Sequence, residues 1–389
     1  MFLYFPTNYT WSLAVLRCLM SGGSFGDVAW ACAGLQEAAR KGPRGDAPAW
    51  TAAWTRLASQ TEETAEAAFE AGHHVTARGA YYRAAQYFQW AEAFSGPTDS
   101  QSKSLYQRHL STFAKFAELS QPRIEIIDIP FDGASLKAYF APAEGVTGPA
   151  PTVILSDGLD GTKEEMFPIA RAFAMRGISC LAVDGPGQGA TLRMSGLVAR
   201  HDSEVATGVV VDYLEKRSDV DSNRIGIIAA SLGGYYAPRA VAFEKRIKAC
   251  VAWSVIYDYH EVWKRRLNFE SGRPLNVADG AALGTTEHHL LHILGVKDFD
   301  AAMAKLEKFR LEPVARQIDC DFLIVHGAED RQAPLAEAQR LYESISSKNK
   351  DMWVYTLADG GSGHVQVDRP EPALNRIADW MAVRLNVAK

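Results

Sequence analysis

The sequence predicts an α/β fold, a mostly parallel sheet flanked by helices, with an all-helical region on its N-terminal side. Three observations predict it. Residues 1 to about 120 carry almost no strand signal and long Ala-rich stretches with helical spacing. From Arg123 onward, short Val/Ile/Leu runs alternate with amphipathic stretches, as in a parallel sheet covered on both faces. The chain has 389 residues, 47% hydrophobic and 22% charged, ample for a large core and too apolar for disorder. The boundary is drawn between a helical domain, 1–122, and a sheet-bearing domain, 123–389.

In the first region DVAWACAGLQEAARK, APAWTAAWTRLASQTEETAEAAFEAG and HHVTARGAYYRAAQYFQWAEAF set the pattern, and four or five helices are expected. Trp50, Trp54, Leu57, Ala58 and Thr61 share one helical face. Gly42-Pro43-Arg44-Gly45 and Ser95-Gly96-Pro97 are breaks. A tetratricopeptide-like array would need a second copy at a period of about 34 residues, and none is found. The apolar opening MFLYFPTNYTWSLAVLRCLMSGG has no charge before Arg17. A secretory signal wants a basic start and a small-residue cleavage site, so the stretch is expected to belong to the mature protein, with a membrane-surface anchor as the lesser alternative.

In the second region IEIIDIPF and ASLKAYFAP, split by Asp132-Gly133, predict an antiparallel hairpin. PTVILS, ISCLAVD, RIGIIAA, KACVAWS, DFLIVHG and MWVYTLA then read as strands, separated by helical stretches such as EEMFPIARAFAMRG and DSEVATGVVVDYLEKR. The distance from Ser254 to Asp321 far exceeds one crossover, so a lid insertion is expected at about 255–318. Reactive groups in such a sheet belong on loops at the carboxyl ends of its strands.

The formal net charge of −5, without a basic run, argues against a nucleic-acid partner. No stretch reaches the ~18 apolar residues of a membrane span. Cys18, Cys32, Cys180, Cys250 and Cys320 are odd in number, widely spread and without a CxxC pair, which fits small buried side chains in a reducing, cytoplasmic setting rather than a disulfide framework or zinc site. The sequence leaves a homodimer open.

The sharpest motif is RIGIIAASLGGYYAPRA. A strand running into Ala229-Ala230-Ser231-Leu232-Gly233-Gly234 and then a helix has the form of a nucleophile elbow, small-x-Ser-x-Gly. The positions two before and two after the serine must be small, or their side chains would collide across the bend. The bland alternative is a helix start with Ser231 as N-cap. Beyond the insertion, His326-Gly327-Ala328-Glu329-Asp330-Arg331 places a carboxylate on the loop leaving a strand, and Gly360-Gly361-Ser362-Gly363-His364 a histidine in a later loop. Taken alone, the lesser alternatives are a turn-stabilising role for Asp330 and a surface loop position for His364. Together they give the chain order Ser231, Asp330, His364 at successive strand ends, the arrangement of nucleophile, orienting acid and general base. Glu329 is the rival acid, but the HG-x-x-D-x-x-x-P pattern favours Asp330. Backbone amides of Leu232 and of Leu159, in Asp157-Gly158-Leu159, are the candidate oxyanion donors. Asp184-Gly185-Pro186-Gly187-Gln188-Gly189 lacks dinucleotide-loop spacing and reads as a tight structural turn beside the site.

With these motifs in place, the chain from about Arg123 resembles the α/β-hydrolase superfamily. GLDGTKEE, AVDGPGQG and AASLGGYYAPRA, joined to a helical N-terminal domain, resemble more narrowly the group containing 2,6-dihydroxypseudooxynicotine hydrolase and fungal hydrolases that shorten polyketide chains in pigment pathways. The resemblance implies an α/β-hydrolase fold whose N-terminal helices form a cap, and a Ser-Asp-His triad hydrolysing a carbon–carbon bond next to a ketone. It implies a small-molecule substrate, aromatic or polyketide-like, and no metal or organic cofactor. Ala229 and Ala230 depart from the group's elbow, where Gly and a variable residue stand.

Lesser candidates are His288 and His292, one turn apart but without the HExxH order or a third ligand. Tyr257, Asp258, His260 and Glu261 follow the VAWS strand, and His73, His74, Tyr81, Tyr82 and Tyr87 are candidates for a cap's inner surface. The aromatic content of the first region (Trp50, Trp54, Tyr81, Tyr82, Tyr87, Phe88, Trp90) is expected to roof a pocket for a flat apolar substrate. Competing functions are a carboxylesterase or acyltransferase with the same triad, and a non-catalytic hydrolase-like binding scaffold.

Overall fold

The computed structural model describes residues 2–41, 45–270 and 287–387. Residues 2–125 build one compact unit, and residues 126–268 with 290–387 build another.

The first unit holds α1 (Tyr9–Met20), α2 (Phe25–Cys32), α3 (Gln36–Ala39), α4 (Ala47–Glu70), α5 (His74–Glu92) and α6 (Ser100–Leu119). The described helices number six rather than four or five, because α3 is a single turn of four residues, too short for a helical period to register. Side-chain oxygens of Asn8 and Asp46 cap α1 and α4 by accepting from the amides of Trp11 and Ala49 at 3.0 and 3.1 Å. The face of α4 that carries Trp50, Trp54, Leu57, Ala58 and Thr61 is buried. The expectation that the region's aromatics are available as a pocket roof does not hold for five of them. Trp50, Trp54, Tyr87, Phe88 and Trp90 pack with Trp11 into this unit's own core. Ring centroids of Trp11–Trp50 and Trp50–Trp54 lie 4.8 and 4.9 Å apart, and the Trp50 indole donates to the Trp90 carbonyl at 2.7 Å. Tyr81 is buried, Tyr82 half-buried, and His73 and His74 are exposed.

The second unit contains β1 (Glu125–Phe131), β2 (Ala134–Ala141), β3 (Ala150–Ser156), α7 (Phe167–Ala174), β4 (Ser179–Asp184), α8 (Gly189–Ser195), α9 (Ser203–Glu215), β5 (Val220–Ala230), α10 (Gly233–Phe243), β6 (Ile247–Trp253), α11 (Tyr259–Glu270), α12 (Glu287–Leu294), α13 (Phe299–Leu306), β7 (Asp321–Gly327), α14 (Leu335–Ser344), β8 (Lys350–Tyr355) and α15 (Pro370–Arg384). The strands form one eight-stranded sheet in the order β1-β2-β4-β3-β5-β6-β7-β8. β2 runs antiparallel to β4, and the pairings from β4 through β3, β5, β6 and β7 to β8 are parallel. Asp132 and Gly133 both take positive φ, 50° and 74°, as a two-residue turn matched to strand twist requires. β3 and β4 are buried along their whole length, as expected of central strands covered on both faces.

Of the insertion expected at 255–318, residues 271–286 lie outside the described residues. On either side of them Tyr259, Trp263, Leu290, Ile293, Leu306 and Phe309 join Tyr235 of α10 in the core of the second unit. Among the described residues no helix is long and apolar enough to cross a membrane. All five cysteines are free thiols, and burial pushes those of Cys180 and Cys250 well above the usual range.

Candidate active site

Three carboxyl ends of the sheet bring Ser231, Asp330 and His364 together. At the end of β5 the chain bends sharply into α10, and Ser231 sits at the bend with φ of +59°. An L-residue rarely holds that conformation, which costs of order 1–3 kcal/mol and persists only where surroundings enforce it. The Ser231 amide donates to the Trp253 carbonyl at 2.8 Å, and the Ser231 carbonyl accepts from the Gly234 amide at 2.7 Å. The small neighbours follow from contact distances. A Cβ on Gly233 would lie 2.6 Å from that of Ala229, and one on Gly234 2.1 Å from the Ser254 carbonyl oxygen. Ala229 is therefore tolerated because Gly233 leaves its methyl room.

His364 is buried in the loop after β8. With Nδ1 protonated, its imidazole donates to Asp330 Oδ2 at 2.8 Å, and Nε2 accepts from the Ser231 hydroxyl at 2.9 Å. The loop is pinned on its far side, where the Ser254 hydroxyl accepts from the Val365 amide at 3.1 Å and the Trp253 indole donates to Gln366. Gly327 lets it approach β7, since a Cβ there would meet the Ser362 and Gly363 carbonyls at 2.3 Å.

Asp330 Oδ1 accepts from the amides of Gln332 and Ala333 at 2.8 and 3.0 Å. Burial alone would raise this carboxyl, but the His364 imidazole, His326 and the backbone amide together hold it well below the usual carboxylate range. Glu329, the rival acid, is exposed, and its amide donates to the Ser362 carbonyl at 2.9 Å. His326 is fully buried beneath the loop, and burial lowers its pKa. Its Nδ1 accepts from the Val255 amide at 3.2 Å and Nε2 donates to the Ala333 carbonyl at 3.0 Å, so it ties the segment after Asp330 to the chain leaving β6.

The loop after β3 closes the site. A Cβ on Gly158 would lie 2.6 Å from Ser231 Cβ and 2.9 Å from its Oγ, so only glycine lets this backbone reach the hydroxyl. Among the described residues neither the Leu159 nor the Leu232 amide is spent on a loop or turn carbonyl. The same loop is anchored by a buried charge cluster. Lys163 Nζ donates to Glu164 at 2.7 Å and to Asp184 Oδ2 at 3.0 Å, while the Lys163 and Ala190 amides donate to Asp184, each at 2.8 Å. Burial opposes charge on Lys163, but the two carboxylates outweigh it and raise its pKa.

In the 184–189 turn, a Cβ on Gly187 would meet that of Ala199 at 2.5 Å, and one on Gly189 the Asp184 carboxylate at 2.2 Å. Gln188 in this turn, together with His326, Ser254 and Gln366, supports the site without having stood out in the sequence. Only the Gly spacing around Gln188 hinted at a close approach.

The other candidates stand apart from these contacts. Tyr257 and Asp258 donate their amides to Glu337 at 2.9 and 2.8 Å, and Glu261 pairs with Lys264 at 3.0 Å. His260 is buried. The His288 side chain lies outside the described residues. Among those described, no group of three or more His, Cys, Asp or Glu side chains could hold a metal ion.

Comparison with known proteins shows the family. The profile of the esterase FrsA-like family matches residues 42–265, more than half of the chain. The chain belongs to this family of α/β hydrolases. The prolyl oligopeptidase family matches residues 173–387 of the hydrolase as well. The hydrolase is 30% identical over 334 residues to the 2,6-dihydropseudooxynicotine hydrolase of Paenarthrobacter nicotinovorans, over 85% of this chain and 83% of that one. It is 37% identical over 247 residues to the α/β hydrolase ucsC of an Acremonium species, over 57% of this chain but only 49% of that relative. The crystal structure of the 2,6-dihydroxy-pseudo-oxynicotine hydrolase matches with a TM-score of 0.77 at 26% identity, covering 96% of this chain and 95% of the other. The protein is thus an enzyme of the hydrolase class.

Proposed function

We propose that the enzyme is a serine hydrolase that cleaves a carbon–carbon bond beside a ketone in an aromatic or polyketide-like small molecule. The observation that carries this reading is the unbroken hydrogen-bond chain from Asp330 through His364 to Ser231, 2.8 and 2.9 Å in its two links. In this reading Ser231 Oγ attacks the ketone carbon while His364 Nε2 takes its proton. Asp330 holds the imidazole tautomer and balances the imidazolium. The Leu159 and Leu232 amides receive the oxyanion. Collapse breaks the carbon–carbon bond, His364 returns the proton to the leaving carbon, and water then releases the acyl group from Ser231 by the same base. None of these steps calls for a metal or organic cofactor.

The relative named for 2,6-dihydropseudooxynicotine supports the carbon–carbon reading, and the esterase description of the matching family supports a second one, ester hydrolysis by the same groups. Turnover of a 1,3-diketone against short p-nitrophenyl esters separates the two. Replacing Ser231 by Ala is expected to lower kcat on either by at least about 10⁴-fold, and full activity in a folded Ser231→Ala protein overturns the mechanism. We assign the helical first unit the part of a cap that favours bulky substrates. Removing residues 1–115 should then abolish bulky-diketone turnover before small-ester turnover, and equal retention of both contradicts the assignment.

A further inference from the structure

We propose that Gln188 is the positioning residue of the oxyanion site, fixing the peptide plane that carries the Leu159 amide. The inference rests on the serine-hydrolase reading above.

Gln188 is buried in the turn after β4, and its side-chain amide makes four hydrogen bonds. Oε1 accepts from the Gly185 amide at 2.8 Å and from the Ser156 hydroxyl at 3.0 Å. Nε2 donates to the Gly158 carbonyl at 2.8 Å and to the Asp157 carbonyl. These partners settle which end of the amide is which. A backbone N–H can only donate and two carbonyls can only accept, so the reversed amide would set oxygen against both carbonyls.

The geometry has a direct consequence for Leu159. The Gly158 carbonyl and the Leu159 N–H belong to one planar trans peptide, whose two dipoles point in opposite directions. Holding that carbonyl on Gln188 therefore turns the Leu159 N–H to the other side of the chain. Gly158 is also the residue whose backbone abuts the Ser231 side chain, within 2.6 Å of where a Cβ would meet it. An unrestrained glycine would let the peptide rotate, and each rotation would cost the site a preorganised donor. The Asp157 and Gly158 carbonyls end on a buried side chain rather than on water, so the plane is fixed before substrate arrives.

The test uses two variants of near-equal length and a tetrahedral analogue. Gln188→Glu keeps the acceptor but sets a carboxylate oxygen against two carbonyls, and Gln188→Met removes both functions. Truncation to Ala is avoided because Gln188 and Ser156 line a cavity of about 50 Å³ into which water could step. Ser156→Ala, which frees one anchor of Oε1 without entering the Gly158 contact, serves if either long variant fails to fold. Kinetics on the best substrate, thermal melting, and the Ki of an alkyl boronic acid, whose tetrahedral adduct on Ser231 places an oxygen in the oxyanion site, are read together. The Gln188 variants are expected to lose about 10²-fold in kcat with KM within about threefold, and to lose boronate affinity by the same factor as kcat/KM. Ser156→Ala should show a smaller loss along the same line. Unchanged boronate affinity in variants with reduced kcat, or unchanged kcat in both long variants, overturns the inference. If wild-type enzyme fails to bind the boronate and Ser231→Ala retains turnover, the serine reading itself fails, a result distinct from either outcome for Gln188.

Discussion

Gly158 and Ser231 approach so closely that a methyl group on the glycine would sit 2.6 Å from the serine Cβ and 2.9 Å from its hydroxyl oxygen. The clash is with a side chain whose hydrogen bond to His364 already fixes its place. Gly158→Ala should therefore push the hydroxyl out of line or displace the loop, lowering kcat by about 10²-fold or more. Melting temperature should be measured alongside, because Leu159 in the same loop belongs to the hydrophobic core and a displaced loop would lower it. Wild-type kinetics in this variant would show that the loop moves away at no cost.

The two neighbouring acids make a paired comparison. Asp330 is buried on His364 while Glu329 is exposed. Asp330→Asn should cost about 10³–10⁴-fold in kcat, since the amide favours the wrong imidazole tautomer. Glu329→Gln should stay within about threefold of wild type. The opposite ranking in steady-state assays would reassign the acid.

The depressed Asp330 pKa also fixes the sign of a pH effect on stability. Its folded value lies below the ordinary carboxylate value of about 3.9, so below that pH the unfolded chain binds the proton more readily. The stabilisation is complete above about pH 4 and is lost as pH falls toward the folded value. Denaturation of wild type and Asp330→Asn across pH 2–7 should show the wild-type advantage shrinking on the acid side only. An advantage that grows on acidification contradicts the assignment.

Lys163 lies buried between Glu164 and Asp184. Removing it leaves two buried carboxylates without their cation, so Lys163→Met should destabilise folding by about 3–5 kcal/mol in urea titrations. A loss below about 1 kcal/mol would mean that one carboxyl is already neutral.

The sequence alone determined the fold class, the hairpin turn at Asp132-Gly133, the helical face of Trp50 and Trp54, and the choice of Ser231, Asp330 and His364 as a set. Local rules carry these: the period of apolar residues marks helix and strand, and a small-x-Ser-x-Gly bend has few sterically allowed shapes. Only the tertiary structure decided what depends on contacts between distant segments. It placed Trp50, Trp54, Tyr87, Phe88 and Trp90 in a core of their own, because helical periodicity shows that a face is apolar but not what covers it. It supplied the contacts that seat Asp330, two backbone amides on Oδ1 and the His364 imidazole on Oδ2, since the partners of a loop side chain depend on the strand it leaves and the loop it meets. It also set Gln188 on the Gly158 carbonyl across two β–α turns, a relation between residues 30 positions apart that no local pattern encodes.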